Sequence, residues 1–381
     1  MLPKIHKTNS PGRPIVSACN APTVVISEFL DGILKPIVQN LPTYIKDSKE
    51  AVVLFKDYTF SSESAYLFTM DVTALYTSIP IQDGLSAMRH FIELDNSIKY
   101  PASTILRLAE LVLNTTAFNF NGKFFRQVSG ISMGTKMGPN FACLFMGYFE
   151  QNVLRDYKGK KPDLFKRYID DCVGVMSGTL DELNEFINFV NNFHPAIKFT
   201  HEISDKCVPF LDISLSIDKP GLSTSVHYKD TDAHTYLNYN SSHPPACKNA
   251  IPYSQLVRLR RLCSDDDDFN IKASEMIDFF NAREYPSDIT VKSLRKVCQL
   301  THEDTLQPTH NTNACDRIPL VLTYHPMNKK VINIVRDNFS ILTEDKSATK
   351  DIFQEPPMIA YRRDQSIKDT LVKSKLQNKE L

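Results

Sequence analysis

The chain has 381 residues, 42% of them hydrophobic and 23% charged, a balance that excludes a disordered or fibrous protein and supplies one large or two moderate cores. Its 44 basic and 44 acidic side chains cancel, so a nucleic-acid surface would have to come from local segregation of charge. The 8 cysteines are scattered with no C-x-x-C pair, the start lacks a signal-peptide pattern, and no apolar run nears the ~18 residues that cross a bilayer, so a soluble intracellular protein without a membrane partner is expected.

In chain order, residues 1–20 are rich in Lys, Arg, Pro and Gly and read as an extended, turn-containing segment ending in Ile15 and Val16. Residues 65–72 form a short apolar run that predicts a buried strand with Asp71 near its end, where a carboxylate faces a cleft more easily than in mid-strand. Leu85, Met88, Phe91 and Ile92, then Ile105, Leu108, Leu111 and Val112, recur at helical spacing and predict core helices. Asn121-Gly122 between Phe-rich flanks predicts a hairpin with a type I′ turn, followed by a glycine-containing loop that leads into an apolar stretch. Arg155, Lys158, Lys160, Lys161, Lys166 and Arg167 form a basic run and residues 265–268 an acidic block; both are expected to be solvated surface.

Apolar segments on either side of Asp170-Asp171 place that pair at the tip or shoulder of a tight hairpin. Thr179 with Asp181 and Glu182 predicts a capped amphipathic helix through Leu183, Phe186, Ile187 and Val190. Two strands are expected next, over 209–217 and 222–228, joined by Asp218-Lys219-Pro220-Gly221. Beyond about residue 250 the pattern turns helical, beginning at 254–263, where Arg258, Arg260 and Arg261 alternate with leucines. A loose boundary falls within 301–317, the tail mixes apolar clusters with charges and Pro356-Pro357, and there is no internal repeat. The spacings of His234, His243, Cys247 and Cys263 fit no standard zinc site.

An Asp ending a first strand and an Asp pair in a later hairpin, separated by helices, is the order of a template-dependent polymerase palm. Nucleotidyl transfer needs one cation to lower the pKa of a 3′-hydroxyl and another to stabilise the leaving pyrophosphate, and hard divalent ions take oxygen ligands from a few carboxylates plus substrate phosphates. An Asp pair alone is common in turns, so the surrounding motifs carry the argument.

Residues 69–76, Thr-Met-Asp-Val-Thr-Ala-Leu-Tyr, resemble the first palm motif of reverse transcriptases, and Tyr168-Ile169-Asp170-Asp171 resembles their Tyr-x-Asp-Asp motif. Between them, residues 127–142 resemble the glycine-containing loop and helix that contact template and nucleotide. Residues 2–7 and 12–17 are similar to a fingers motif shared by telomerase-like and Penelope-like enzymes. Residues 197–202, 209–212, 227–244 and 251–261 resemble the Penelope-like retroelement branch, and the set covers most of residues 2–263.

The resemblance implies an α+β right-hand polymerase: partial fingers over 1–64, a palm of antiparallel sheet backed by helices over 65–230, a thumb-like helical region over 231–300, and a C-terminal linker region over 301–381. It implies two Mg²⁺ or Mn²⁺ ions, dNTP substrates, and an RNA template paired with a DNA primer. Asp71 and Asp170 would be metal ligands, with Asp171 assisting. Tyr76 would select deoxynucleotides, Arg13 and Lys4 would hold the triphosphate, and Gln127, Gly130 and Gly134 would approach the nascent base pair. Lys198 would protonate pyrophosphate, Leu211 and Asp212 would grip the primer, and Arg258, Arg260 and Arg261 would touch phosphates of the hybrid duplex. The sequence contains no GIY and YIG pair, so a partial chain without the family's endonuclease is expected, and the element's life cycle implies a nuclear location. Two other readings are a non-catalytic nucleic-acid-binding remnant and a two-metal nuclease, the latter disfavoured because its chemistry calls for neither Tyr76 nor the loop and helix of 130–142.

Overall fold

The computed structural model describes residues 2–3, 12–13, 15–16, 18–19, 21–60, 62, 64–120, 122–307, 317–344, 353 and 355–371. The chain divides into two compact units, one of residues 1–232 with 262–266 and the other of 233–261 with 267–381. No helix among the described residues is long and apolar enough to cross a membrane.

The first unit is α+β. Its main sheet has four antiparallel strands in the order Leu164–Tyr168, Asp171–Ser177, Ala65–Val72, Phe199–Ser204. Side chains alternate along a strand, and Phe68, Met70 and Val72 join Cys172 and Met176 in one hydrophobic core with the helices Val24–Gln39, Ile81–Leu94, Ala102–Asn114, Gly138–Asp156 and Leu180–Phe193. Thr69 and Asp71 belong to the alternate set, which this core leaves out. Gly174 pairs with Phe68 in the register, and a Cβ there would collide with the Phe68 ring, so the glycine makes room for a ring that is fully buried.

The Leu180–Phe193 helix starts with the expected capping box, Thr179 accepting from the Glu182 amide and Glu182 from the Thr179 amide. The hairpin Ala117–Phe120 with Lys123–Arg126 also forms, with Gly122 at φ 75°; Asn121 lies outside the described residues.

The single strand expected over 209–217 is instead a hairpin, Cys207–Phe210 with Ile213–Asp218, which continues into Gly221–Val226 as a three-stranded sheet. Leu211 turns the chain at φ 57°, a conformation that apolar L-residues rarely adopt, and no Gly or Asn marks the spot. The basic run is corrected as well: Arg167 is 0% exposed.

In the second unit the helices Pro245–Leu262, Asp266–Asn281 and Ser287–Val297 follow in succession. The first starts nine positions before the expected Ser254 and runs through Pro252, a residue that ordinarily ends or kinks a helix. Leu256, Leu259, Met276, Phe280 and Val297 are buried. In the tail Pro319–Thr323 pairs parallel with Met358–Arg362, with the helix Asn328–Asp337 between them in sequence, an arrangement that the apolar clusters alone did not predict.

Candidate active site

Asp71 and Asp171 are direct partners in the antiparallel register of the two central strands. Asp170 lies in the adjoining turn, and its carbonyl accepts from the Val72 amide at 3.1 Å. Residues distant in sequence are thereby brought to one end of one sheet. Asp171 is half-buried, and its carboxyl is pushed up to about 6 by burial first, then by the negative charges of Asp170 and Asp71, against an opposing pull from Lys229. The carboxylates of Asp170 and Asp71 therefore both lie within electrostatic reach of Asp171. A cavity of about 240 Å³ opens beside them, lined by Thr69, Asp71, Asp171, Thr200, His201, Glu202 and Leu211 among others.

Directly after the strand, Ala74 adopts φ 53° and a short helix, Leu75–Ser78, carries Tyr76. The Thr73 amide donates to the Lys198 carbonyl at 2.8 Å, which fixes the exit from the strand. The Tyr76 hydroxyl is pushed up to about 12, chiefly by burial and further by the charges of Cys143, Asp170 and Tyr168, so its ring stands close to the acidic hairpin. Gly130 sits at φ 67°, and a Cβ there would lie 2.5 Å from the Tyr76 carbonyl oxygen. The next amide, of Ile131, donates to that same oxygen at 2.6 Å. Gly130 therefore lets the loop dock on the backbone of Tyr76, a direct physical reason for a glycine at this position.

Gly134, at φ 131°, follows Met133, whose carbonyl accepts from the Val16 amide at 2.9 Å, so the loop meets the segment after Arg13. Gln127 turns inward on the loop, its side chain donating to the Ser129 carbonyl at 3.0 Å. Lys4 and the side chain of Arg13 lie outside the described residues.

The other expected site residues make the following contacts. The Lys198 ammonium donates to the Asn191 carbonyl at 2.7 Å and the His194 carbonyl at 3.5 Å, so it caps the end of the Leu180–Phe193 helix, where a cation is favoured. Leu211 reaches the cavity. Asp212 accepts from the Ser48 hydroxyl and its carbonyl from the His227 amide at 2.9 Å; it ties the hairpin tip to the start of the Ser48–Lys56 helix. In the second unit Arg258 is half-buried.

Two arginines of the helix Pro245–Leu262 bond carbonyls within the unit. Arg260 is 9% exposed, donates to the Leu300 carbonyl at 3.1 Å and lies over the Phe269 ring, while Arg261 donates to the Thr305 carbonyl at 3.1 Å. Both guanidiniums serve internal packing of the helical unit, because their long stems bury and their heads find carbonyls.

Sequence reasoning passed over two contributors. Lys229 is a cation close enough to Asp171 to oppose its rise. Arg167 and Glu150 form an ion pair with 0% and 2% of their side chains exposed. The single sequence sign of the latter is that Arg167 occupies an inward position of a strand next to the acidic hairpin.

Residues 5–228 match the reverse transcriptase (RNA-dependent DNA polymerase) family, and the chain belongs to that family. Residues 235–295 match the animal helix-turn-helix domain. No curated protein matches the chain. Among solved structures, the telomerase from Candida albicans in complex with a TWJ fragment of telomeric RNA is similar at 10% identity over 88% of this chain and 53% of that one, with a TM-score of 0.49. The apo telomerase from Candida tropicalis truncated from its C-terminal domain is similar at 12% identity over 51% of this chain and 44% of that one, with a TM-score of 0.41. The BmCPV RNA-dependent RNA polymerase at its elongation state is similar at 10% identity over 64% of this chain and 23% of that one, with a TM-score of 0.45. The chain spans about half or less of the length of these structures.

Proposed function

We propose that this chain is the polymerase core of a Penelope-like retroelement enzyme that extends a DNA primer on an RNA template. The observation that carries the reading is the pairing of Asp71 with Asp171 across neighbouring strands, with Asp170 held in the turn beside them. Its narrower placement, in the Penelope-like branch, rests on the motifs at 197–202, 209–212 and 227–244.

Among the described residues no three His, Cys, Asp or Glu side chains converge as a ready-made metal cage. Mg²⁺ rarely needs one, since it binds through one or two carboxylates plus substrate phosphates and water. The donors here are hard oxygens from carboxylates that repel one another, so the residues fit a hard divalent cation, with Asp71 and Asp170 holding it and Asp171 assisting. When bound, a pair of such ions would acidify the primer 3′-hydroxyl and stabilise charge on pyrophosphate. The chain's own residues position the reactants: Tyr76 sits under the sugar and rejects a 2′-hydroxyl by contact, Arg13 binds the triphosphate, and the cavity beside Leu211 receives the primer end. Lys229, close to Asp171, moderates the negative field of the trio.

Extension of a DNA primer annealed to an RNA template with Mg²⁺ or Mn²⁺ tests the reading. Wild type should extend it and Asp170→Ala should not, while both bind the hybrid. Equal binding with extension by neither protein would favour a non-catalytic nucleic-acid-binding remnant.

A further inference from the structure

Tyr168-Ile169-Asp170-Asp171 turns with Ile169 at φ 54°. A β-branched residue in the left-handed region is strained and persists only where its surroundings over-determine it. Those surroundings converge on one side chain. Arg167 Nη1 donates to the Ile169 carbonyl at 2.9 Å. Its Nε donates to the Glu150 carboxylate, and its Nη2 reaches the other Glu150 oxygen at 3.2 Å and the Cys143 carbonyl at 3.3 Å. The Thr43 hydroxyl donates to the same Glu150 oxygen that Nη2 reaches.

The backbone is held in the same place. The Arg167 amide donates to the Thr43 carbonyl at 2.7 Å, and the Ile45 amide to the Arg167 carbonyl at 2.8 Å, so residues 43–45 bridge the outer strand as an extra edge. The turn at Ile169, the helix Gly138–Asp156 and residues 43–45 are thus tied to one planar cation, with the guanidinium and its Glu150 carboxylate both out of water.

We propose that Arg167, fixed by Glu150 and Thr43, is the positioning residue of the acidic hairpin, holding the Ile169 turn in the conformation that sets Asp170 and Asp171 opposite Asp71. A buried ion pair is weak evidence of stabilisation, since apolar replacement of both partners is often neutral. Its use here is specificity of geometry: an arginine fork serves a carboxylate and a carbonyl at once, which the point charge of a lysine does not reproduce. The inference rests on the proposed polymerase reading only for what the hairpin does, and not for how it is held.

Hydrogen exchange resolved along the chain tests it, on Arg167→Lys, Thr43→Val and the paired Arg167→Met/Glu150→Leu. Loss of a charge-assisted hydrogen bond should make local opening about tenfold more frequent. Residues 168–172 should therefore exchange about tenfold faster in Arg167→Lys and in the paired variant, with the Leu180–Phe193 helix changed less than about twofold. The paired variant keeps an apolar filling and a cooperative transition, so it answers if Arg167→Lys folds poorly, and Thr43→Val should shift the same segment in the same direction by less. Unaltered exchange over 168–172, or a uniform acceleration of both segments, would overturn the proposal whatever the activity.

Primer extension on the same samples separates the two readings. An active wild type whose kcat falls about tenfold in Arg167→Lys with KM for dNTP nearly unchanged supports positioning. An inactive wild type with the expected exchange pattern removes the polymerase reading and leaves the brace standing.

Discussion

Gly130→Ala offers a perturbation whose magnitude follows from local geometry. Gly130 is at φ 67° with a built Cβ 2.5 Å from the Tyr76 carbonyl oxygen and 2.6 Å from the Thr77 Cα. The left-handed conformation costs an alanine roughly 1–2 kcal/mol. Relief of the overlap must move the loop and stretch the 2.6 Å hydrogen bond from the Ile131 amide to the Tyr76 carbonyl, a further loss of about 1 kcal/mol. The sum, about 2–3 kcal/mol, corresponds to a fall in Tm of roughly 5–10 °C for a unit of this size. Gly122→Ala is the internal control: it has φ 75° with nothing within 4 Å of the added Cβ, so it should cost only the backbone share, about 1–2 kcal/mol. Thermal unfolding followed by circular dichroism reads both. Gly130→Ala no more destabilising than Gly122→Ala would refute the docking of the loop on Tyr76.

Three more expectations follow from the site. Asp171 has a folded pKa raised from 3.8 to about 6, so its favourable contribution is complete below about pH 4 and lost as pH rises through about 6; allowing for partial solvation, Asp171→Asn should be about 1 kcal/mol more stable than wild type near pH 7 and no more stable near pH 4. Identical pH profiles in urea titrations would contradict the burial of this carboxyl beside Asp170 and Asp71. Tyr76→Ala should admit ribonucleotides more readily, by roughly 10- to 100-fold in relative kcat/KM, and unchanged sugar discrimination in primer extension would remove the gate. Thr179→Ala should cost about 1 kcal/mol through the lost cap, measured by denaturant unfolding, with loss of less than a few tenths showing that the box is idle.

The parts of the fold that sequence exposes are those where one local rule decides. The apolar run ending at Asp71, the hairpin around Asp170 and the capping box at Thr179 each form as their patterns predict. What escaped depends on partners far along the chain. Arg167 follows a run of lysines and reads as surface, because its inward strand position alone does not reveal that Glu150 waits for it on a helix whose pattern is apolar nearly all round. Leu211 turns the chain with no glycine or asparagine in the left-handed position; the bonds of Asp212 to Ser48 and His227 hold it. The bonds of Arg260 and Arg261 to the carbonyls of Leu300 and Thr305 depend on residues some 40 positions on, and the parallel pairing of Pro319–Thr323 with Met358–Arg362 joins segments too far apart for periodicity to relate.

In the proposed reaction Asp71, on a strand, and Asp170, in the turn beside it, serve one cation site. Mn²⁺ binding, measured by paramagnetic resonance with a 3′-deoxy primer on an RNA template and a dNTP present, tests it most directly in wild type, Asp71→Asn and Asp170→Asn. Either single substitution should weaken binding at least about tenfold, as expected when one of a few ligands of a hard ion is lost. Wild-type affinity in either variant would mean that these side chains do not share an ion.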